Sequence, residues 1–202
     1  MWALVESNSI SKIYARPTAL QLGDIQYPAN IFELWTEAEL KAIGIYEITV
    51  DNTNLKDKEY YQNTDVTYTY NSSPDTVTGA YGTATAKSLT DVLYTATDES
   101  NGLGTEGELR TRGLKYRKKE TINGRANALL QKYDWYTLRA ASGGTAIPSS
   151  VSTYQAAVRT KANSMCTQID NAADVDALAA LYVYNDATPP VRPLGEFPDE
   201  PS

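Results

Sequence analysis

The sequence predicts an α+β fold: a small antiparallel β-rich N-terminal part, then an α-helical hairpin and a Pro-rich extended tail. Alternating strand-like segments dominate the first half, and apolar residues recur at helical spacing in the second half. Five prolines crowd the end of the chain. The predicted organisation is therefore a β-rich domain at 1–97, a Gly-rich linker at 98–107, a helical hairpin domain at 108–186 and the tail at 187–202.

The β-rich part should begin with two short strands at residues 2–5 and 10–14, which flank a polar turn. Thr36 and Glu39 have the spacing of a capping box, so a short helix is expected to begin directly after Thr36. The alternating, β-branched segment at 45–50 predicts a further strand.

Another pair of strands is expected at 66–70 and 76–86, and a turn separates them. This pair predicts an antiparallel hairpin. The stretch 89–97 fits either a short helix or a strand. Glycines and polar residues make 98–107 the predicted linker between the two halves.

Two helical stripes define the predicted hairpin. Seven apolar residues approximate one face of a first helix: Leu109, Tyr116, Ile122, Ala126, Leu129, Leu130 and Tyr133. Six others recur at steps of three and four: Val151, Tyr154, Val158, Ala162, Met165 and Ile169. Two such helices most simply pack against each other. Gly113 and Gly124 interrupt the first helix, and Asp174 is placed to cap a third, short one.

An aromatic segment between the two helices is the predicted hairpin anchor. Its members are Tyr133, Asp134, Trp135, Tyr136 and Arg139. Trp and Tyr combine a large apolar body with a polar handle, so these rings are expected to pin the turn to the core. The same residues also fit an ordinary helix C-terminus that happens to carry aromatics.

Charge is distributed unevenly along the chain. The net charge is −7, but residues 110–132 hold eight basic side chains against Glu120 alone. We expect the start of this segment to dock on an acidic surface, within the chain or between subunits. The predicted partner-binding residues are Arg110, Arg112, Lys115, Arg117, Lys118 and Lys119. The acidic remainder of the chain argues against a nucleic-acid partner.

The side-chain inventory favours no enzyme class. The chain has no histidine, which excludes His-dependent nucleophilic catalysis and removes the commonest metal ligand. Cys166 lies beside the second stripe and is expected to be a small buried hydrophobe. The carboxylate pairs Glu37/Glu39 and Asp174/Asp176 belong to predicted helix starts, where they favour the helix dipole. No cofactor and no metal site is predicted.

The start of the chain, its hydropathy and its cysteine count predict a soluble protein made in a reducing compartment. The first residues lack a basic, apolar leader, and no run is long and apolar enough for a membrane helix. A single cysteine allows no intrachain disulfide. The Pro-rich tail should be extended, and ordered only where it docks on a partner.

Two regions carry a resemblance to a known family. The N-terminal one comprises Trp2-Ala3-Leu4-Val5-Glu6, Tyr27-Pro28, Glu39-Leu40 and Ile43-Gly44-Ile45-Tyr46. The C-terminal one comprises Arg125, Leu129-Leu130, Asp134-Trp135-Tyr136, Arg139, Gly144-Thr145-Ala146-Ile147-Pro148, Val151, Tyr154 and Ala157-Val158-Arg159. Together they resemble the tail fibre assembly and tail-assembly-chaperone-like proteins of tailed bacteriophages.

The resemblance implies a non-enzymatic structural protein of the virion tail, associated with the fibre or baseplate. Its expected partners are other phage tail or fibre proteins and further copies of itself, with no nucleic acid and no membrane. It would be made in the host cytoplasm and reside in the virion. The alternatives are a transient fibre-assembly chaperone absent from the mature virion and a polysaccharide-degrading enzyme of the tail tip.

Overall fold

A computed structural model describes residues 1–201 and shows an α+β protein. The chain divides into two compact units, Met1–Thr85 and a second that begins at Ala86. The sequence predicts the boundary at 98–107, and this prediction is wrong. That segment instead forms the end of a short helix and a hydrogen-bonded loop inside the second unit, because Tyr94 and Gly107 pair through their backbones.

The first unit contains eight strands and two short helices, and a ninth strand spans the boundary. The strands are β1 Trp2–Glu6, β2 Ser9–Tyr14, β3 Leu20–Leu22, β4 Ile25–Tyr27, β5 Ile45–Asp51, β6 Tyr61–Gln62, β7 Val66–Ser72, β8 Asp75–Tyr81 and β9 Thr85–Ala86. The helices are α1 Ile31–Leu34 and α2 Glu37–Ala42.

The main sheet of the first unit has the strand order β2-β1-β5-β8-β7. The predicted hairpin of β7 and β8 is present and antiparallel. However, β8 also pairs with β5 in parallel, with Ile48 opposite Val77. The expectation of a purely antiparallel N-terminal part is therefore wrong. The reason is topological, because it is the returning strand of the hairpin, and not the outgoing one, that lies beside β5.

Both faces of this sheet are covered. Alternation along β1 sends Ala3 to one face and Leu4 to the other. Leu4 joins a cluster completed by the two short helices, including Phe32 and Leu40. Ala3 joins a second cluster within the sheet, which includes the fully enclosed Val77. The sheet curls, and its two edge strands, β2 and β7, approach each other.

Local signals in this unit are read correctly from the sequence. The β1–β2 turn places Ser7 and Asn8 at positive φ, a conformation that Asn tolerates well. The predicted capping box is present, with Thr36 and Glu39 bonded reciprocally at the start of α2. Gly44 follows α2 with φ +80°, and a Cβ there would lie 2.8 Å from the carbonyl oxygen of Val5. Only glycine fits this position without strain.

The second unit consists mainly of helices. Its strands are β10 Val92–Leu93 and β11 Leu109–Thr111, which pair antiparallel. Its helices are α3 Ala96–Ser100, α4 Leu114–Gln131, α5 Asp134–Ala141, α6 Ser149–Asn171 and α7 Val175–Ala180. As predicted, α4 and α6 pack against each other, and Asp174 caps α7 through the N–H of Ala177 at 2.8 Å.

The stripe predicted for α6 is confirmed in full, since all six of its residues are buried. The first helix differs from its prediction. It begins at Leu114, so Leu109 lies in β11, and Gly113 is the residue before the first turn and not an interruption. Gly124 does lie in the helix interior. Of the predicted first face, Ile122 and Ala126 are buried.

The start of α4 is clasped by the segment before β10. The backbone N–H groups of Leu114 and Lys115 donate to the carbonyl oxygens of Ser88 and Leu89, at 2.9 and 3.0 Å. The Asp91 carboxylate accepts the N–H of the preceding residue at 2.8 Å. Three of the N–H groups that a helix start usually leaves without protein partners are thereby bonded.

Residues 187–201 of the Pro-rich segment form neither helix nor strand, but they pack on their own unit. Leu194 is completely buried, and its N–H donates to the carbonyl oxygen of Leu181 at 3.1 Å. Farther along, Glu200 pairs with Lys132. The expectation that this segment is ordered only on a partner is therefore wrong, because its acidic and apolar side chains find partners on the adjacent helices.

Candidate partner-binding surfaces

The predicted basic residues lie around the β10–β11 ribbon and the first half of α4, and most have partners within the second unit. Arg110 pairs with Asp98 at 3.2 Å, and Arg112 pairs with Asp91 at 2.6 Å. The Arg112 guanidinium also lies 4.0 Å from the ring centroid of Tyr116. The pKa of Asp91 is lowered by the N–H that it accepts at the start of α4 and by Arg112.

Lysines of α4 meet the C-terminal end of α6. Lys115 donates to the carbonyl oxygen of Asp170, and Lys119 pairs with the Asp170 carboxylate, each at 2.8 Å. Cations are favoured at a helix C-terminus, where carbonyl groups lack partners. The hydrogen bond to Asp170 raises the pKa of Lys119. Lys118 lies 4.2 Å from the ring centroid of Tyr182.

Arg117 is the exception among the six. It is exposed, and it forms no ion pair with any residue that the structure describes. The other five basic residues contact acidic, carbonyl or aromatic groups of the same chain. A large part of the positive charge that predicts an acidic partner is therefore compensated within the chain. Docking within the chain is one of the two expectations, but the sequence cannot identify the acidic partner, because Asp170 lies far along the chain from Lys119. A docking role for the set stays a prediction.

The predicted hairpin anchor is divided between the interior and the solvent. Its segment forms a helix, α5, in place of the predicted turn, with Tyr133 preceding its first residue, Asp134. The Tyr133 ring meets the buried Tyr154 edge-on, with centroids 5.3 Å apart. Trp135 is 50% exposed, so the expectation that it pins the turn to the core is wrong. The helical spacing of α5 turns this ring away from α6.

Three side chains of α5 lie against one another, with Trp135 exposed and Tyr136 and Arg139 half-buried. The Arg139 guanidinium lies 4.8 Å from the Trp135 ring centroid and 5.0 Å from that of Tyr136. The centroids of the Trp135 and Tyr136 rings lie 3.8 Å apart. Leu138, on the same helix, is 69% exposed. We call these four residues the α5 surface. Its aromatic and arginine content is typical of the energetic centre of a protein interface.

Cys166 and the Glu37/Glu39 pair make contacts that suit structural roles. Cys166 is half-buried, not fully buried as expected, and its thiol lies 3.7 Å from the Asn123 side-chain oxygen. Burial raises the pKa of the Cys166 thiol, which disfavours the reactive thiolate. Glu39 belongs to the capping box, and its neighbour Glu37 pairs with Lys41 at 2.8 Å.

Within residues 1–201, no three His, Cys, Asp or Glu side chains gather in a way that could hold a metal ion. None of the described helices combines the length and the apolar character needed to cross a membrane. Comparisons with protein-family models, with curated proteins and with solved structures found no match. Functional inference therefore depends on the residues themselves.

Some contacts had no clear signal in the sequence. Glu196 accepts from the Tyr184 hydroxyl at 2.6 Å and pairs with Arg192 at 2.7 Å. Glu200 pairs with Lys132 and accepts from the Tyr133 hydroxyl at 3.4 Å. The only hint in the sequence was that the C-terminal segment carries acidic residues while residues 110–132 are basic.

Proposed function

We propose that this chain is a non-enzymatic structural protein of a bacteriophage virion tail, associated with the fibre or baseplate. It acts through protein–protein interactions. The resemblance of its N-terminal segment and of the region around Asp134-Trp135-Tyr136 to tail fibre assembly proteins supports the tail assignment. The α5 surface supports the mode of action.

The α5 surface is the observation that carries the proposal. A tryptophan that is half exposed and a leucine that is 69% exposed lie side by side on one short helix. Burying this apolar area against a partner would remove it from water, at about 25 cal/mol per Å². The stacked Arg139 holds a guanidinium in place beside the rings, so little side-chain entropy remains to be lost on binding.

The test is quantitative mass spectrometry of purified particles of the virus that encodes this chain. A fixed ratio to the tail proteins, through repeated gradient purification, is the expected result. A matched preparation carrying Trp135→Ala should retain less of the chain, whereas Arg159→Ala, which changes an exposed residue of α6, should retain the normal amount.

The same measurement separates the proposed role from that of a transient assembly chaperone. A chaperone would be abundant in infected-cell lysate and absent from particles. That outcome would overturn the assignment as a structural protein. If fibre assembly still depended on Trp135, the α5 surface would remain an interaction surface.

A further inference from the structure

The geometry points to a binding site for a carboxylate-bearing segment of a partner protein, at a cationic cavity near the start of α4. This inference deepens the proposed function and rests on its claim of protein–protein interaction. The cavity has a volume of about 430 Å³ and lies between the segment before β10, the strand β11 and the first turn of α4. Its main lining residues are Lys87, Val92, Arg110, Arg112, Leu114 and Arg117.

The lining is strongly cationic. Four of its side chains are Lys or Arg, and none of its described lining residues is acidic. Asp91 and Asp98 reach two of the guanidinium groups from outside the lining. Arg117 has no such partner among the described residues. An anion entering the cavity would therefore gain a guanidinium that the fold leaves uncompensated.

The side chains at the start of α4 add to this positive potential. The first turn of α4 holds no acidic side chain, although acids are the residues that the positive end of a helix dipole favours. It holds Lys115 and Arg117 instead. Asp91 offsets part of this charge, because it accepts the N–H of Gly113 and pairs with Arg112, whereas Arg117 has no ion-pair partner among the described residues. A bound carboxylate would supply that partner.

Apolar groups beside the charges indicate what kind of anion fits. Leu114 lines the cavity and is buried, while Val92 is 37% exposed at its edge. On the adjoining ribbon, Leu93 lies directly opposite Leu109, and these side chains are 49% and 40% exposed. A polypeptide that carries Asp or Glu next to apolar residues would satisfy both the cations and this apolar pair.

A nucleic acid fits less well. The cavity opens to solvent but holds only about 430 Å³, which suits one or two side chains better than a track of successive phosphates. The same part of the chain also carries Glu99, Glu106 and Glu108, which would repel a polyanion extending beyond the cavity. A short peptide that places one or two carboxylates in the cavity and apolar side chains on Leu93 and Leu109 is therefore the favoured occupant.

The experiment titrates the full chain with a short synthetic peptide of alternating Glu and Leu, and with single-stranded oligothymidylate of similar charge, at low salt. Binding is followed by NMR, through the Arg side-chain N–H resonances and the backbone amides around Arg117. We expect saturable peptide binding that weakens by at least about tenfold in Arg117→Glu and that also weakens as salt screens the pair.

Arg159→Glu is the matched control, because Arg159 is an exposed arginine on α6 and the net charge changes equally. Retention of peptide affinity in this control, with unchanged thermal unfolding of both variants, would support the site. Equal weakening in both variants would show a non-specific charge effect and would overturn it. Tighter binding of the oligonucleotide at the same residues would also overturn it.

Failure here is distinguishable from failure of the proposed function. If particles contain the chain but Arg117→Glu binds the peptide normally, only the cavity assignment falls. If particles lack the chain but Arg117→Glu loses the peptide, the tail assignment falls and the binding site stands.

Discussion

Trp135 shows that a large aromatic side chain can lie in a segment predicted to pack on the core and still be exposed to solvent. Its neighbour Tyr133 packs against buried Tyr154, as an anchor should, while Trp135 faces solvent beneath Arg139. The sequence predicts that large aromatics matter in this segment. It cannot predict which of them is covered, because that depends on where α5 begins and on its rotation relative to α6.

Replacing Trp135 by Ala should therefore cost less than about 1 kcal/mol of folding stability, since the ring makes few contacts that solvent would not replace. The measurement is the free energy of unfolding from chemical denaturation. Met165→Ala provides the contrast: this side chain is fully buried in α6, and its loss should cost about 2–5 kcal/mol. A Trp135→Ala cost as large as that of Met165→Ala would mean that the indole is part of the core.

Among the elements, α6 is the one that the sequence predicts best. Its apolar steps of three and four define a face, and burial follows that face from Val151 to Ile169. The capping box of α2 is equally local, so it too is readable from the sequence. The start of α4 is not, because Gly113 looks like an interruption until its contacts with the preceding segment are known.

Two glycines inside regular elements should respond oppositely to alanine. At Gly79 in β8 a Cβ would lie 2.9 Å from a methyl carbon of Val66, so Gly79→Ala should destabilise by about 1–3 kcal/mol. At Gly124 in α4 a Cβ would meet nothing within 4 Å, so Gly124→Ala should stabilise by about 0.5–1 kcal/mol. Unfolding midpoints of the two variants and the wild type provide the check. A shift of the same sign in both would contradict this.

At the scale of the whole molecule, the two units differ in net charge. Residues 1–85 hold eleven acidic and five basic side chains, whereas residues 86–202 hold fourteen acidic and thirteen basic ones. The balance in the second unit explains why its basic helix finds partners within the unit. Such pairings, like the parallel pairing of β5 with β8, join residues far apart in the chain. Local pattern therefore cannot reveal them.

The C-terminal segment should loosen in acid. Burial raises the pKa of Glu196, but the Tyr184 hydroxyl and Arg192 lower it by more, and Lys132 lowers the pKa of Glu200. Because both folded-state values lie below the unfolded value of about 4.3, the stabilisation is present above roughly pH 5 and is lost as the pH falls through the lowered values.

The measurement is the Tm of the wild type and of the double variant Glu196→Gln, Glu200→Gln across this pH range. The double variant should melt below the wild type at neutral pH, and the difference should vanish in acid. Asp199→Asn is the control, since this neighbouring carboxylate forms no ion pair with the described residues. A difference that persists unchanged below pH 4 would show that the two glutamates do not hold the segment.

The clasp at the start of α4 has a consequence for how this helix opens. Most helices fray, because the amides of the first turn are bonded to water and separate from the rest at little cost. Here the amides of Leu114 and Lys115 are bonded to the segment that precedes β10. The first turn can therefore open only when that segment leaves with it, and two stretches distant in sequence become one cooperative unit.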